Sequence, residues 1–191
     1  MREKTTISMA TPLEDGQSGS GATRLVLLVE AGLERGRPFE LPDEGTIRIG
    51  RGRDCEIVVA DRACSREHAE LTVHAGSDVV EVRDLGSTNG TFVGQHRAAP
   101  HTRLAPGEVL RLGREATFRL ARQTEIEIAI RRDLYGAASF DKLTGVANRR
   151  HFLDAVDRHM AEQSADRGPF AIALIDADRF KSVNDTHGHA A

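Results

Sequence analysis

From Arg24 to about Arg122 the apolar residues fall in short runs, several of them alternating inward and outward positions. Leu25–Glu30, Thr46–Gly50, Glu56–Val59, Ala69–His74, Val79–Leu85, Thr91–Val93, Val109–Leu112 and Thr117–Leu120 read as strands. Period-two patterning of this kind puts one face of a strand on a core and the other in water. Gly36, Pro42, Gly52, Gly76, Gly86, Asn89-Gly90 and Pro106-Gly107 punctuate the runs as turns. Many short strands at such spacing predict a β-sandwich or barrel, here over residues 23–122.

The period then shifts. Ile126, Ile130 and Leu134 recur at helical spacing, with Glu125, Glu127, Arg131, Arg132 and Asp133 elsewhere, predicting an amphipathic linker helix within 123–140. Gly136 weakens its last turn. Farther on, Phe152, Val156 and Met160 repeat at the same spacing behind Asn148, a candidate N-cap, so a second helix is expected to about Gln163. A loop at 165–169 leads into the unbroken apolar run Phe170–Ile175, the pattern of a strand covered on both faces. Carboxylates follow it, then the start of another short helix near Arg179. This α–β–α order gives 141–191 a different fold class from the all-β half. Residues 1–22 carry few large apolar groups and the run Asp15-Gly-Gln-Ser-Gly-Ser-Gly21, which predicts a disordered tail.

Composition narrows the function classes. The chain has 191 residues, 39% of them hydrophobic, which suits one large or two modest globular domains. Aromatics are 4%, Trp is absent and the net charge is −3, so nothing predicts a nucleic-acid partner. The longest apolar runs, such as Leu25–Val29, fall far short of the roughly 18 residues of a membrane span. The N-terminus lacks the apolar segment of a secretory signal. Cys55 and Cys64 lack CxxC spacing and are expected to be buried or half-buried free thiols in a reducing compartment. A cytoplasmic location is the expectation.

Two segments of the all-β half carry chemistry. Ile49-Gly50-Arg51 precedes Ser65-Arg66-Glu67-His68, and Asp84-Leu85-Gly86-Ser87-Thr88-Asn89-Gly90-Thr91-Phe92 follows. In a sandwich these fall at strand ends and tight loops. Arg51 and Arg66 offer charge-assisted donors to a phosphate ester, and Ser65, Thr88 and Asn89 offer neutral ones. Singly, each has a plainer reading: Asn89-Gly90 as a hairpin turn, Arg51 as a solvated charge, His68 as a packing histidine.

In this order and spacing the segments resemble the FHA (forkhead-associated) family over Thr23–Arg122. The resemblance implies an eleven-stranded sandwich whose loops bind phosphothreonine-containing proteins. By position, Arg51 and Ser65 would hold the phosphate, helped by Arg66 and Thr88, and Asn89 would hold peptide backbone. His68 would brace the Ser65 loop, and Gly50 would let the backbone turn. Gly94-Gln95 departs from the Asn-Gly frequent in the family at that far turn.

In the other half, Asp176 and Asp178 at a strand end make a place for a hard divalent cation near phosphates, with backbone N–H groups at 179–182 beside them. Taken alone, such an Asp pair is more often an N-cap and a surface charge than a cation site. A calcium EF-hand fails, because its sixth and twelfth positions would be Lys181 and His187. His187-x-His189 reads as a turn after a short helix.

The run Asp141-x-Leu143-Thr144-Gly145-x-x-Asn148-Arg149-Arg150-x-Phe152, followed by Asp176-Ala177-Asp178-x-Phe180-Lys181-x-x-Asn184-Asp185, resembles the first third of a GGDEF diguanylate cyclase domain. The resemblance implies a palm-like α/β fold and condensation of two GTP into cyclic di-GMP by a homodimer. Asp176 would be the catalytic magnesium ligand, with the Ala177 carbonyl beside it and Asp178 ranked below. Phe180 and Lys181 would lie at the GTP phosphates and Asn184 would recognise guanine. Asp141, Leu143 and Asn148–Arg150 would be turn and docking residues. The Gly-Gly-Asp/Glu-Glu-Phe loop supplying further acidic ligands is not among the 191 residues, so this chain alone is expected to be inactive and loosely packed beyond about Gln163. An adaptor with a degenerate or absent cyclase half is the competing reading.

Overall fold

The computed structural model describes residues 22–161, 171–176, 178, 179, 181, 185 and 188. The tail expected over 1–22 therefore lies, apart from Ala22, outside the described residues. Backbone contacts divide the chain into two units, Met1–Ala155 and Val156–Ala191.

The first unit is built on β1 (Thr23–Val29), β2 (Pro38–Glu40), β3 (Gly45–Gly50), β4 (Ile57–Val58), β5 (Ala69–Val73), β6 (Val80–Asp84), β7 (Thr91–Val93), β8 (His96–Arg97), β9 (Thr102–Leu104), β10 (Val109–Leu112) and β11 (Ala116–Thr124). They form two sheets, ordered β2-β1-β11-β10-β7-β8 and β4-β3-β5-β6-β9. All eight strands read from the pattern are present. The three not read, β2, β8 and β9, are two or three residues long. The resemblance, rather than the pattern, supplied the right number.

The inner faces close one core. Leu27, Ile49, Leu71, Val80, Val82, Leu104, Leu110, Leu112 and Leu120 are fully buried, with Phe118 among them. Pairing is antiparallel except between β3 and β4, where Ile49 and Gly50 run alongside Ile57 and Val58. That parallel pair throws the β3–β4 connection, with Arg51, to one end of the sandwich.

β1 reads as an unbroken apolar run because it is covered on both faces. Leu25, Leu27 and Val29 point into the sandwich, while Val26 and Leu28 pack outward against Ile128 of the first helix. This helix, α1 (Glu125–Ser139), starts where β11 ends. Thr124 caps it by accepting the Glu127 N–H at 3.2 Å, and the Glu127 carboxylate accepts the Thr124 N–H in return. The face it buries differs from the stripe read in the sequence. Ile126 and Ile130 are 73% and 53% exposed, Leu134 is exposed too, and Ile128, at 3%, carries the contact. The sandwich selects the face because Val26 and Leu28 on the outer side of β1 form the apolar surface that Ile128 covers, with exposed ion pairs Arg132–Glu40 and Arg24–Glu125 at its margin.

Residues 140–148 form a tight turn. Asp141 Oδ1 accepts the backbone N–H groups of Leu143 and Thr144, and its backbone N–H reaches Val146. Asn148 accepts the His151 N–H at 2.9 Å, which makes it the N-cap of α2 (Arg149–Ala161), as its position implied. The strand expected at 170–175 is not formed in its described part. Residues 171–176 have no regular structure, and Leu174 and Ile175 are 95% and 94% exposed. A strand cannot satisfy its backbone without neighbours, and no strand partner lies beside this run among the described residues. That exposure agrees with the loose packing expected there.

Candidate functional site

At the end of the sandwich where β3 leaves its sheet, Arg51, Arg62, Ala63, Cys64, Ser65, Arg66, Thr88 and Asn89 line a cleft of about 330 Å³. All five phosphate-site residues read from the sequence, Arg51, Ser65, Arg66, Thr88 and Asn89, meet there. They come from three loops. Arg51 follows β3, Ser65 and Arg66 precede β5, and Thr88 and Asn89 link β6 to β7.

The loops are fixed by backbone hydrogen bonds. The Arg51 N–H donates to Ser65 O at 3.0 Å and the Gly52 N–H to Arg66 O at 2.9 Å. Gly50 is needed here for approach. A Cβ on it would lie 2.2 Å from Arg66 O, and its φ is not positive, so its role differs from the turn-forming one expected. Thr88 donates its backbone N–H to Ser65 Oγ at 3.1 Å, and the Ser65 hydroxyl donates in return to Thr88 Oγ1 at 3.5 Å, so the two residues are joined across the cleft.

Behind Ser65 stands His68, fully buried. Its Nδ1 accepts the Ser65 N–H at 3.0 Å, so this nitrogen carries no proton, and Nε2–H donates to Gly90 O at 3.1 Å. One neutral tautomer thus ties the Ser65 loop to the Asn89-Gly90 turn. The Cys64 thiol, 3.2 Å away, donates to the same Nδ1. Burial pushes that thiol up to about 12, so Cys64 stays protonated as a donor. Cys55 donates its thiol to Arg66 O at 3.1 Å, and burial raises it as well. Both cysteines are free and buried, as expected.

Two contributors were not singled out in the sequence. The Asp84 carboxylate accepts the N–H groups of Gly86 and Ser87 and the hydroxyls of Ser87 and Thr91, at 2.6 to 2.9 Å. Ser87 Oγ in turn accepts the Gly90 N–H. Burial would raise the Asp84 carboxyl, but the hydrogen bonds from Ser87, Thr91 and Gly86 outweigh it and hold it below its ordinary range. The Asp-x-Gly-Ser spacing is the signal that would have found it. The other is Arg62, which only its place on the cleft wall reveals.

Asn89 Nδ2 donates to Ala63 O at 2.8 Å, leaving its amide oxygen to accept an N–H from a bound chain. The cleft lining includes three guanidinium groups and no carboxylate. Such a surface suits a dianionic, hydrogen-bond-accepting group on a peptide backbone.

Among its described residues the second unit offers no comparable assembly. Asp176, Asp178 and Lys181 are exposed, while Ala177, Phe180 and Asn184 lie outside the described residues. Among the described residues no three His, Cys, Asp or Glu side chains converge as a metal-ligand set.

Family models match at both ends of the chain: "FHA domain" over residues 47–113 and "Diguanylate cyclase, GGDEF domain" over 138–191. The FHA domain-containing protein FhaA of Mycobacterium tuberculosis is 38% identical over 95 residues, 50% of this chain and 17% of that protein. The oxoglutarate dehydrogenase inhibitor of Corynebacterium efficiens is 32% identical over 58% of this chain and 73% of its own length. Diguanylate cyclase TpbB of Pseudomonas aeruginosa is 43% identical over 54 residues, 28% of this chain and 12% of the cyclase. The crystal structure of the FHA domain of CT664 from Chlamydia trachomatis is 30% identical, covers 51% of this chain and 96% of that one, and has a TM-score of 0.47. The chain spans 17% and 10% of the first two curated relatives it matches.

Proposed function

For a chain that belongs to the FHA family through its sandwich and to the GGDEF family over 138–191, we propose phosphothreonine capture coupled to cyclic di-GMP synthesis. A phosphothreonine-bearing segment of a partner protein would sit in the cleft. Arg51 and Arg66 would pair with the phosphate, Ser65 and Thr88 would donate hydroxyls to it, and Asn89 would accept a backbone N–H beyond it. The observation that carries this reading is the convergence of these five side chains, from three loops, on one carboxylate-free cleft.

The cyclase half of the reading belongs to the whole protein. There Asp176 and the Ala177 carbonyl would be magnesium ligands, Phe180 and Lys181 would meet the GTP phosphates, and Asn184 would read guanine. A homodimer would bring two GTP together. α1 is packed on the sandwich through Ile128 and stands between the two domains in sequence, so a change at the cleft has a rigid element to act through. A cytoplasmic location goes with this chemistry, where GTP is available. No helix among the described residues is long and apolar enough to cross a membrane.

The adaptor reading has one observation in its favour: among the described residues only the sandwich assembles a site. Binding and turnover separate the two readings. Fluorescence anisotropy with matched peptides should show binding that requires phosphothreonine and is lost in Arg51→Ala and Ser65→Ala. A protein extended through a Gly-Gly-Asp/Glu-Glu-Phe loop should convert GTP to cyclic di-GMP, with the rate altered by the phosphopeptide. Phosphate-independent binding would remove the first half, and a rate indifferent to bound peptide would leave the adaptor.

A further inference from the structure

The outer face of the six-stranded sheet carries a row of side chains that the proposed function leaves unused. Thr91, Val93, Leu110 and Leu112 are buried in the sandwich, so Phe92 and Arg111 face outward. Arg97 stands opposite Phe92 on β8 and shares that face. We propose that Arg97 and Arg111 form a second binding site, which holds an acidic, unphosphorylated protein segment by two of its carboxylates. Phe92, Arg97 and Arg111 are not among the residues lining the phosphate cleft, and the inference does not depend on how that cleft is read.

Strand register and stacking position the two cations. Arg111 pairs opposite Phe92 and Phe92 opposite Arg97, one row across β10, β7 and β8. The Arg111 guanidinium lies over the Phe92 ring, 4.1 Å from its centre, where the π-electrons attract it. One of its nitrogens donates to Gly113 O at 2.9 Å, which fixes the plane and leaves N–H groups on the other edge for an incoming acceptor. Arg97 is exposed and runs across the β6–β7 turn. A Cβ on Gly90 would lie 3.2 Å from its Nε and 3.3 Å from the Phe92 ring, so glycine there makes room for both side chains. A cation already held against a ring has less freedom to lose on binding.

Charge decides the occupant. Among the described residues neither Arg97 nor Arg111 forms an ion pair, whereas Arg119, farther along the same face, is paired with Glu30. The uncompensated charge of the row therefore sits on the two cations beside Phe92. Their strands flank β7, so the Cα positions lie two strand spacings apart, about 10 Å. Carboxylates two residues apart on an extended chain are separated by about 7 Å, and each can take one guanidinium through paired N–H···O bonds. β8 is the outermost strand of its sheet, so an extended segment has an open edge to lie along. A nucleic acid or an anionic lipid surface calls for a broad positive field, which a chain of net charge −3 does not supply.

The test uses residues 1–191 and labelled peptides read by fluorescence anisotropy. One peptide alternates Asp with Ser, its control alternates Asn with Ser, and neither is phosphorylated. The Asp peptide should bind and the Asn peptide should not, with the affinity falling as salt is added. Arg97→Ala and Arg111→Ala should each weaken binding roughly fivefold, and Arg111→Lys, which keeps the charge but loses the flat fork, should lie between Arg111→Ala and the parent. Thermal unfolding checks that each variant is folded, and the exposed Arg97 gives a readout even where Arg111→Ala is not. Equal binding of the two peptides, or Asp-peptide binding that survives Arg97→Ala, overturns the inference. Displacement of the Asp peptide by a phosphothreonine peptide overturns it too, because the acidic segment would then be entering the cleft. Tighter binding of a short RNA or of phosphatidylserine vesicles than of the Asp peptide overturns the assignment to a protein segment.

Discussion

Ser65 and His68 are joined by a single hydrogen bond, 3.0 Å from the serine N–H to Nδ1 of the imidazole, and it points away from the cleft. The residue that would meet the phosphate is oriented from behind by a ring that lines no cleft surface. The same ring reaches Gly90 with its other nitrogen, so two of the three loops of the site share one buried side chain.

Replacing that ring should damage fold and binding together. His68→Ala leaves a cavity and an unpaired Ser65 N–H, and should cost roughly 2 to 4 kcal/mol in urea unfolding. Phosphopeptide affinity should fall even under conditions where the variant is fully folded, because Ser65 loses its orientation. Full affinity in folded His68→Ala would show that the loop holds itself.

Glycine positions separate close approach from freedom. Gly50→Ala places a Cβ 2.2 Å from the backbone oxygen of Arg66 and should cost about 1 to 3 kcal/mol or more. Gly136 lies inside α1 with nothing within 4 Å of an added Cβ. Gly136→Ala should therefore stabilise the chain by about 0.5 to 1 kcal/mol. Thermal unfolding of the two variants should move in opposite directions.

The Asp84 network gives the sandwich an acid limb. Its carboxyl is held below its ordinary range, so the folded state keeps it ionised more readily than the unfolded chain does. The stability this contributes is present above about pH 4 and is lost as pH falls through the lower folded value. Asp84→Asn should flatten the acid limb of a stability profile. Asp84→Ala, which strands four donors, should cost roughly 2 to 4 kcal/mol at neutral pH.

The faces of α1 should respond unequally. Ile128→Ala removes the side chain packed against Val26, Leu28 and Ala121 and should cost about 2 to 4 kcal/mol. Ile126→Ala and Ile130→Ala, on the exposed stripe, should stay within about 0.5 kcal/mol in the monomer. Amide exchange of α1 would then quicken in the first variant only.

In the second unit, Ala171–Ile175 should exchange amide protons at near random-coil rates while Val80–Asp84 are strongly protected. Residues 1–191 should also make no cyclic di-GMP from GTP and magnesium. Protection of 171–175 equal to that of β6 would contradict the first expectation, and turnover the second.

Much of this was readable along the chain, because some constraints are local. Alternation over five or more residues marked the long strands, and Asn89-Gly90 and Asn148 marked a turn and a cap through chemistry that acts within three residues. The order of Arg51, Ser65, His68 and Asn89 was enough to name the family. Only the folded sandwich could decide what depends on distant partners. It chose Ile128 over Ile126 and Ile130, because the apolar surface waiting for the helix is the one Val26 and Leu28 present on the outer side of β1. It gave Gly50 its purpose through Arg66, and it carried Arg62 to the cleft by pinning Asp61 and Ala63 to strands some fifty residues away in sequence. The apolar run at 171–175 shows the same division: its residues carry a strand's pattern, and a strand requires neighbours that a pattern cannot provide.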